Sequence, residues 1–368
     1  MPDSTPLLPE IAVANAWTTP VFLNTQVVKV TGVPTNELAL WWQVFQDPQL
    51  DQLIAQALQA NTDIAIAKAA LLQARALRDV SLAGLLPRFD VAMTAQRNKN
   101  GDATPANSFS AGLDAAWEPD IFGGNHRAVE ASESNLSAYT ASLGDVQVSV
   151  AAEVALAYLQ LRGTQARLQI AQANLRTQLE TLQLTSWRVQ AGLLTALEQE
   201  QAHAVSEQTS AQIPVLTTTI VQLAHSLAVL CGRAPQSLVT QLSAFVSTPR
   251  VRAELSVGIP AETLRQRPDV RAAEFQVNAA WARVMQADAA LYPHFQISGS
   301  LGWRALTVSA LGNSAALIAG IVANASFPLI EGASAGATSR LCTGTYVLSV
   351  GCAKCAQRSR RRLGGVVW

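Results

Sequence analysis

"WEPDIFGG", residues 117–124, is where the chain changes its period. On its N-terminal side, "SFSAGLDAAWEP" (108–119) alternates in the two-residue repeat of a β-strand. Phe109, Ala111, Leu113, Ala115 and Trp117 take one face; Ser108, Ser110, Gly112, Asp114 and Glu118 take the other. On its C-terminal side no proline occurs until Pro214. There Val129, Leu136, Leu143, Val150 and Ala157 recur in heptads, and after a four-residue stutter so do Leu161, Leu168, Leu175, Leu182 and Val189. This predicts one helix over 124–191, roughly 100 Å long at about 1.5 Å per residue. A proline and two glycines (Pro119, Gly123, Gly124) therefore join a strand to a very long helix.

Upstream, residues 1–46 carry scattered prolines and little periodicity, which reads as an extended leader. Apolar residues at helical spacing predict a helix over 47–83, with Asp47 as N-cap and Pro48 at the first helical position. "PRFDVAMTAQR" (87–97) alternates with Phe89, Val91, Met93 and Ala95 on one side, so 87–119 reads as a β-hairpin around the turn-rich link "NKNGDATPAN". Downstream, "AGLLTALEQE" (191–200) turns the chain back, with Gly192 as helix C′ and Thr195 as the next N-cap. The return helix completes a long hairpin over 124–230, with a kink or break expected at Pro214.

The second half restates the first. After an irregular segment (231–266), "RPDVRAAEFQVNAAWARVMQADAALYPHFQI" (267–297) aligns with 61–91 at a constant offset of 206, pairing Asp63 with Asp269, Pro87 with Pro293 and Phe89 with Phe295. A second-repeat helix (267–292) then leads to a second hairpin (294–328), with Phe295, Ile297, Leu301 and Trp303 on one face. Its corner, "SFPLIEGA" (326–333), puts Pro328 and Gly332 where Pro119 and Gly123 stood. The expected fold is mainly α with a small β part, a duplicated helix–β-hairpin–long-helix unit.

Composition narrows the function. The formal net charge is zero, which gives no electrostatic footprint for nucleic acid. No run of eighteen apolar residues is present, so no membrane-spanning helix is expected. No phosphate loop, nucleophile elbow or paired-carboxylate pattern occurs, and His126, His203, His225 and His294 are scattered; neither an enzyme nor a cofactor is expected. Strands of about ten residues, apolar on one side and polar on the other, match the span of an outer-membrane barrel. A half-buried soluble sheet would alternate in the same way. The long rods that follow the strands, and Arg88, Asp90, Asp114 and Glu118 on the polar faces, favour a wet lumen. Four strands cannot close a barrel in lipid, because open edges are not tolerated there. Three copies would supply twelve.

The stretches "WWQVFQDPQLDQLIAQALQANTDIAIAKAALLQARA" (41–76), "RVQAGLLTALEQEQA" (188–202), "IPVLTTTIVQLAHSLAVLCGRAP" (213–235) and "RPDVRAAE" (267–274) resemble the TolC-like outer-membrane factors. The resemblance covers about 41–332 and is nearest to the lipoprotein-type subunits of tripartite resistance-nodulation-division efflux pumps. It implies a homotrimer forming a 12-stranded outer-membrane β-barrel on a periplasmic α-helical coiled-coil tunnel. It further implies an adaptor protein docked at the tunnel tips and an inner-membrane pump beyond it. Carried over by position, Gly192, Leu193, Leu194 and Thr195 would meet the adaptor. Phe89, Val91, Phe109, Leu113, Trp117, Phe295 and Trp303 would face outer-membrane lipid, with Trp117 and Phe327 near the periplasmic rim. Pro119, Gly123, Gly124, Pro328 and Gly332 would mark where barrel becomes tunnel.

The chain departs from that pattern at both ends. No signal peptide or lipidated cysteine precedes Cys231, the first of four cysteines. After Gly332 a second long helical hairpin is expected, but 333–368 shifts to Cys, Gly, Arg and Ser and reads as an atypical, out-of-frame tail. Cys352 and Cys355 lack the second ligand pair of a zinc site. Two other readings stand beside the channel: a coiled-coil interaction protein without a pore, and an inactive truncated efflux-channel product.

Overall fold

The computed structural model describes residues 40–99, 101–102, 104–246, 249, 267–327, 338 and 340–350. Of the sequence expectations, Pro328, Gly332, Cys352, Cys355 and most of the leader lie outside the described residues. The helices are α1 (Pro48–Ala60), α2 (Thr62–Ala83), α3 (Gly124–Gln190), α4 (Ala196–Leu230) and α5 (Pro268–Ala289). The strands are β1 (Arg88–Asn98), β2 (Ala106–Trp117), β3 (His294–Ala305) and β4 (Leu317–Ser326). A further helical run occupies 340–350. The described residues divide into two compact units, one of residues 70–142 with those from 267 onward, the other of residues 40–69 and 143–249.

The second unit holds a hydrophobic core cluster. Leu50, Leu53, Ile54 and Ala57 of α1 pack with Val150, Val154, Tyr158 and Leu161 of α3 and with Ala224, Leu227 and Ala228 of α4. Trp41–Phe45, placed by sequence in an extended leader, forms a 3₁₀ turn instead. Its aromatic rings meet edge to face, Trp41 with Trp42 at 6.1 Å and with Phe45 at 6.4 Å, and Trp42 joins the core. Burial of that large apolar side chain holds a turn that the local sequence pattern does not signal.

The single helix expected over 47–83 is two helices. Asn61 is extended (φ −65°, ψ 136°) and ends α1, while its Oδ1 accepts from the backbone N–H of Asp63 at 2.8 Å, capping α2. Its side-chain amide donates to the Leu230 carbonyl at 2.9 Å, at the end of α4. One asparagine thus satisfies two helix ends, which no apolar spacing reveals. Asp47 does cap α1, accepting from Gln49 N–H at 2.9 Å. Conversely, α4 runs through Pro214 unbroken. Thr217, Thr218 and Thr219 bond back to the carbonyls of residues 213–215 at 2.9 Å each. Segments of α3 and α4 are also apolar and long enough to cross a membrane by length and composition, contrary to the expectation from uninterrupted apolar runs.

In the first unit, the four strands form one sheet in the order β1-β2-β3-β4, every neighbour antiparallel. The register of β1 with β2 runs from Arg88 opposite Ala116 to Asn98 opposite Ala106. The link between the two repeats is β2 with β3, Trp117 opposite Ile297 through Phe109 opposite Ala305. Ser81 and Ser132 hydroxyls meet at 2.8 Å where α2 leads into the sheet beside the start of α3. Tyr346 of the terminal helical run packs on Trp281 of α5, ring centroids 5.2 Å apart.

Candidate functional site

Directly opposed residues in a sheet share a face, so the register assigns every side chain. One face carries Phe89, Val91, Met93 and Ala95 of β1, and beside them Phe109, Ala111, Leu113, Ala115 and Trp117 of β2. It continues through Phe295, Ile297, Leu301 and Trp303 of β3 to Leu317, Ala319, Ile321, Ala323 and Ala325 of β4. All seven barrel residues expected from the sequence fall on this one face. It is uncovered: Met93 is 81% and Ile321 83% exposed. Arg97, at the far end of β1, is its one charged side chain within the strands. Uncovered apolar surface of this extent signals a partner or a lipid phase.

The other face is polar and carries both signs of charge. Arg88 grips Asp90 with two nitrogens, Nε at 2.7 Å and Nη2 at 3.1 Å. Asp114 lies opposite Asp90 on β2, and Arg304 opposite Ser110 on β3. Neither Asp114 nor Arg304 has an ion-pair or hydrogen-bond partner among the described residues. Gly112 and Gly302 also oppose each other here. A Cβ at Gly302 would stand 2.6 Å from the Ala111 carbonyl oxygen, so only glycine allows β2 and β3 to approach this closely.

The corner is built around Asp120. Its carboxylate accepts from the backbone N–H of His126 at 2.7 Å and pairs with the His126 ring Nδ1 at 2.5 Å, closing the open amino end of α3. Burial alone would raise its pKa, but the side-chain and backbone hydrogen bonds from His126 and Asn125 outweigh this and hold it below the ordinary aspartate value. Gly123 takes φ +80°, a turn that favours glycine, and Gly124 opens α3. Trp117 Nε1 donates to the Leu85 carbonyl at 3.2 Å, fixing the indole at the base of the sheet. Phe122 stacks on Tyr292 at 4.9 Å and lies 6.4 Å from Phe295, while His294 Nδ1 sits 3.4 Å from Glu118.

At the far end of α3, Gly192 adopts φ +71° and donates to the Val189 carbonyl at 2.9 Å, while Leu193 N–H reaches Arg188 at 2.8 Å. This double bond pattern is a Schellman stop. The Glu198 carboxylate then accepts from Thr195 N–H at 2.8 Å, fixing the start of α4. Those bonds, backbone first and hydroxyl second, lower the Glu198 pKa. The turn projects Leu193, 73% exposed, with Leu194 half-buried beside Gly192 and Thr195. The backbone geometry expected at Gly192 and Thr195 is what the structure contains.

Sequence reasoning missed the polar centre of the second unit. Arg162 is 1% exposed and its guanidinium donates to Gln165 Oε1 at 2.7 Å, the Ala244 carbonyl at 2.9 Å and Gln49 Oε1 at 2.6 Å. Gln165 donates in turn to the Leu242 carbonyl at 2.6 Å. The guanidinium also lies 5.0 Å over the Tyr158 ring, whose hydroxyl donates to Asp47 at 2.7 Å. Burial, then the bond to Asp47, push the Tyr158 phenol up to about 12. The network ties α1 and the segment after α4 to the middle of α3. It is a brace: no described group of His, Cys, Asp or Glu could hold a metal ion. Cys231 is buried with its thiol 3.5 Å from the Leu53 carbonyl, and burial pushes its pKa up.

The family model described as Outer membrane efflux protein matches residues 53–233 and 259–350, and the chain belongs to that family. The second matched stretch extends into the segment that composition sets apart at 333. The chain is 34% identical over 278 residues to the pyoverdine export outer membrane protein OpmQ of Pseudomonas aeruginosa, covering 72% of this chain and 58% of that protein. It is 31% identical over 283 residues to nodulation protein T of Rhizobium leguminosarum bv. trifolii, covering 73% and 59%. The chain thus spans somewhat over half the length of the curated relatives it matches. Among solved structures, the outer-membrane channel OprN superposes with a TM-score of 0.82 at 35% identity, over 86% of this chain and 72% of that one. VceC of Vibrio cholerae shares the fold, with a TM-score of 0.80 at 24% identity, over 86% and 77%.

Proposed function

We propose that this protein is the outer-membrane channel subunit of a tripartite efflux system, passively conducting small molecules from an inner-membrane pump and adaptor to the exterior. The observation that carries the reading is the two-faced sheet: one face apolar but for Arg97 and Asn107 at its far end, the other mainly polar, with β1 and β4 both left as open edges. Strands of 10–12 residues, tilted, cross a hydrocarbon layer about 25 Å tall. Open edges cannot remain in lipid, so the β1 edge of one copy pairs with the β4 edge of the next. Three copies close a 12-stranded barrel, the arrangement that family membership favours. In it, Phe89, Val91, Phe109, Leu113, Trp117, Phe295 and Trp303 face lipid, and Pro119, Gly123 and Gly124 form the barrel-to-tunnel corner.

The helical hairpin of α3 and α4 contributes to a periplasmic tunnel, and the tip at Gly192, Leu193, Leu194 and Thr195 docks the adaptor. Exposed Leu193 on a rigid turn supplies an apolar anchor of the kind that dominates interfaces. No cofactor is required, since the pump supplies the work and the duct conducts downhill.

The test is to export the full chain behind a signal peptide, isolate outer membranes, and measure trimers by cross-linking and conductance in planar bilayers. The reading expects membrane-integral trimers with discrete conductance steps. Chain recovered only in the soluble periplasm, without trimers, would overturn it and favour a non-pore coiled-coil protein.

A further inference from the structure

We propose, resting on the channel reading above, that two unpaired side chains on the polar face, Asp114 and Arg304, set the ion preference of the conduit in separate layers. Within the strands, the charged side chains of this face are Arg88, Asp90, Asp114 and Arg304, so the face is formally neutral. Neutral in sum, it is not neutral by height.

The register assigns the heights. Asp90, Asp114 and Ser300 are directly opposed across three strands, so two carboxylates share one level. Like charges directly opposed destabilise a sheet unless one is compensated. Arg88 compensates Asp90 through its two contacts at 2.7 and 3.1 Å. Asp114 has no such compensating partner among the described residues. Arg304 stands opposite Ser110, four residues along β2 from Asp114. At about 3.3 Å per residue that is roughly 13 Å, more than a Debye length at physiological salt.

What lies between the two levels matters as much. The intervening row is Ala92, Gly112, Gly302 and Ile318, and Gly302 is held against the Ala111 carbonyl with no room for a Cβ. No polar or charged side chain bridges the layers, so Asp114 and Arg304 cannot neutralise each other. Repeated by each copy around the barrel, each becomes a ring, and rings of charge in a low-dielectric wall bias permeation by sign. The Asp114 ring favours small cations, and the Arg304 ring favours small anions.

The experiment is the potassium-to-chloride permeability ratio, from reversal potentials of the full-length chain in planar bilayers under a salt gradient. Asp114→Asn lowers the ratio by at least about twofold, the size expected from a change of a fraction of kT in lumen potential. Arg304→Gln raises it by a similar factor, and the double variant returns it to the unmutated value. Arg88→Gln strips Asp90 of its partner and also raises the ratio. Asp114→Ser repeats the first measurement with a second side chain, and cross-linked trimers report that each variant assembles. Conductance with an unmoved ratio in Asp114→Asn and Arg304→Gln, or with both moving it the same way, would overturn the layers alone. An unmutated chain that gives no conductance would overturn the channel reading, and the layers with it.

Discussion

Replacing Arg162 by methionine tests whether the buried brace holds the second unit together. Methionine keeps most of the stem volume and removes the guanidinium, so packing changes little and the hydrogen bonds change completely. Three acceptors are left behind: Gln165 Oε1, the Ala244 carbonyl and Gln49 Oε1, at present 2.7, 2.9 and 2.6 Å from the guanidinium. Each buried acceptor left unpaired costs about 1–3 kcal/mol. Against this, the desolvation of the guanidinium is relieved, including an Nε that has no partner among the described residues. The acceptors cost about 3 kcal/mol or more together, and the offset leaves a net loss of roughly 2–4 kcal/mol. In a unit of this size that lowers Tm by roughly 4–16 °C. Thermal unfolding in detergent, followed by circular dichroism, measures the change; hydrogen exchange at residues 158–166 and 239–246 localises it. Arg162→Lys should fall close to Arg162→Met, because an ammonium cannot span the three acceptors as a planar fork does. Arg162→Met as stable as the unmutated chain, or more stable, would refute the reasoning, since buried polar networks can be replaced without loss when the site repacks.

Four further outcomes follow from the same geometry. Gly232→Ala should destabilise by about 3 kcal/mol or more in thermal melts, because the new Cβ meets the Ala60 carbonyl oxygen at 2.3 Å and φ is +66°. Gly192→Ala, with φ +71° but open space around it, should cost only about 1–2 kcal/mol and loosen the tip locally, as hydrogen exchange would report. Asp120 has a lowered folded-state pKa, so its stabilisation is fully present above the unfolded aspartate value near 3.9 and is lost as pH falls through the lower folded value; Asp120→Asn should lose stability at pH 7 and flatten that acid limb in melts across pH 2–5. Val91→Arg, on the apolar face, should reduce insertion into lipid vesicles, with a penalty of up to about 2–4 kcal/mol near a bilayer midplane, measured as the fraction of chain resisting extraction.

Much of this was legible in the chain itself, for a physical reason: period is local. The two-residue alternation of 88–97 and 108–117 and the heptads of 129–189 each follow from a single element burying one side. The break at "WEPDIFGG" is legible because proline and glycine act on their own backbone. The repeat exposed the second hairpin because an offset of 206 keeps Pro87 and Pro293 in phase. Turn chemistry at Gly192 and Thr195 is equally local.

What the tertiary structure decided is everything that depends on partners far along the chain. Asn61 looks like any polar residue within a helical run until Leu230 arrives to accept its amide. Arg162 sits in a heptad stretch that gives no sign of its acceptors at Gln49 and Ala244, 113 and 82 residues away. The pairing of β2 with β3, which turns two hairpins into one sheet, joins segments some 180 residues apart and could be fixed by no local pattern. Alternation says that Asp90, Asp114 and Arg304 lie on polar faces; only the register puts two carboxylates level and leaves the arginine alone. Sequence determined which faces exist, because each is a property of one element, whereas their heights, neighbours and unpaired charges belong to the packed sheet.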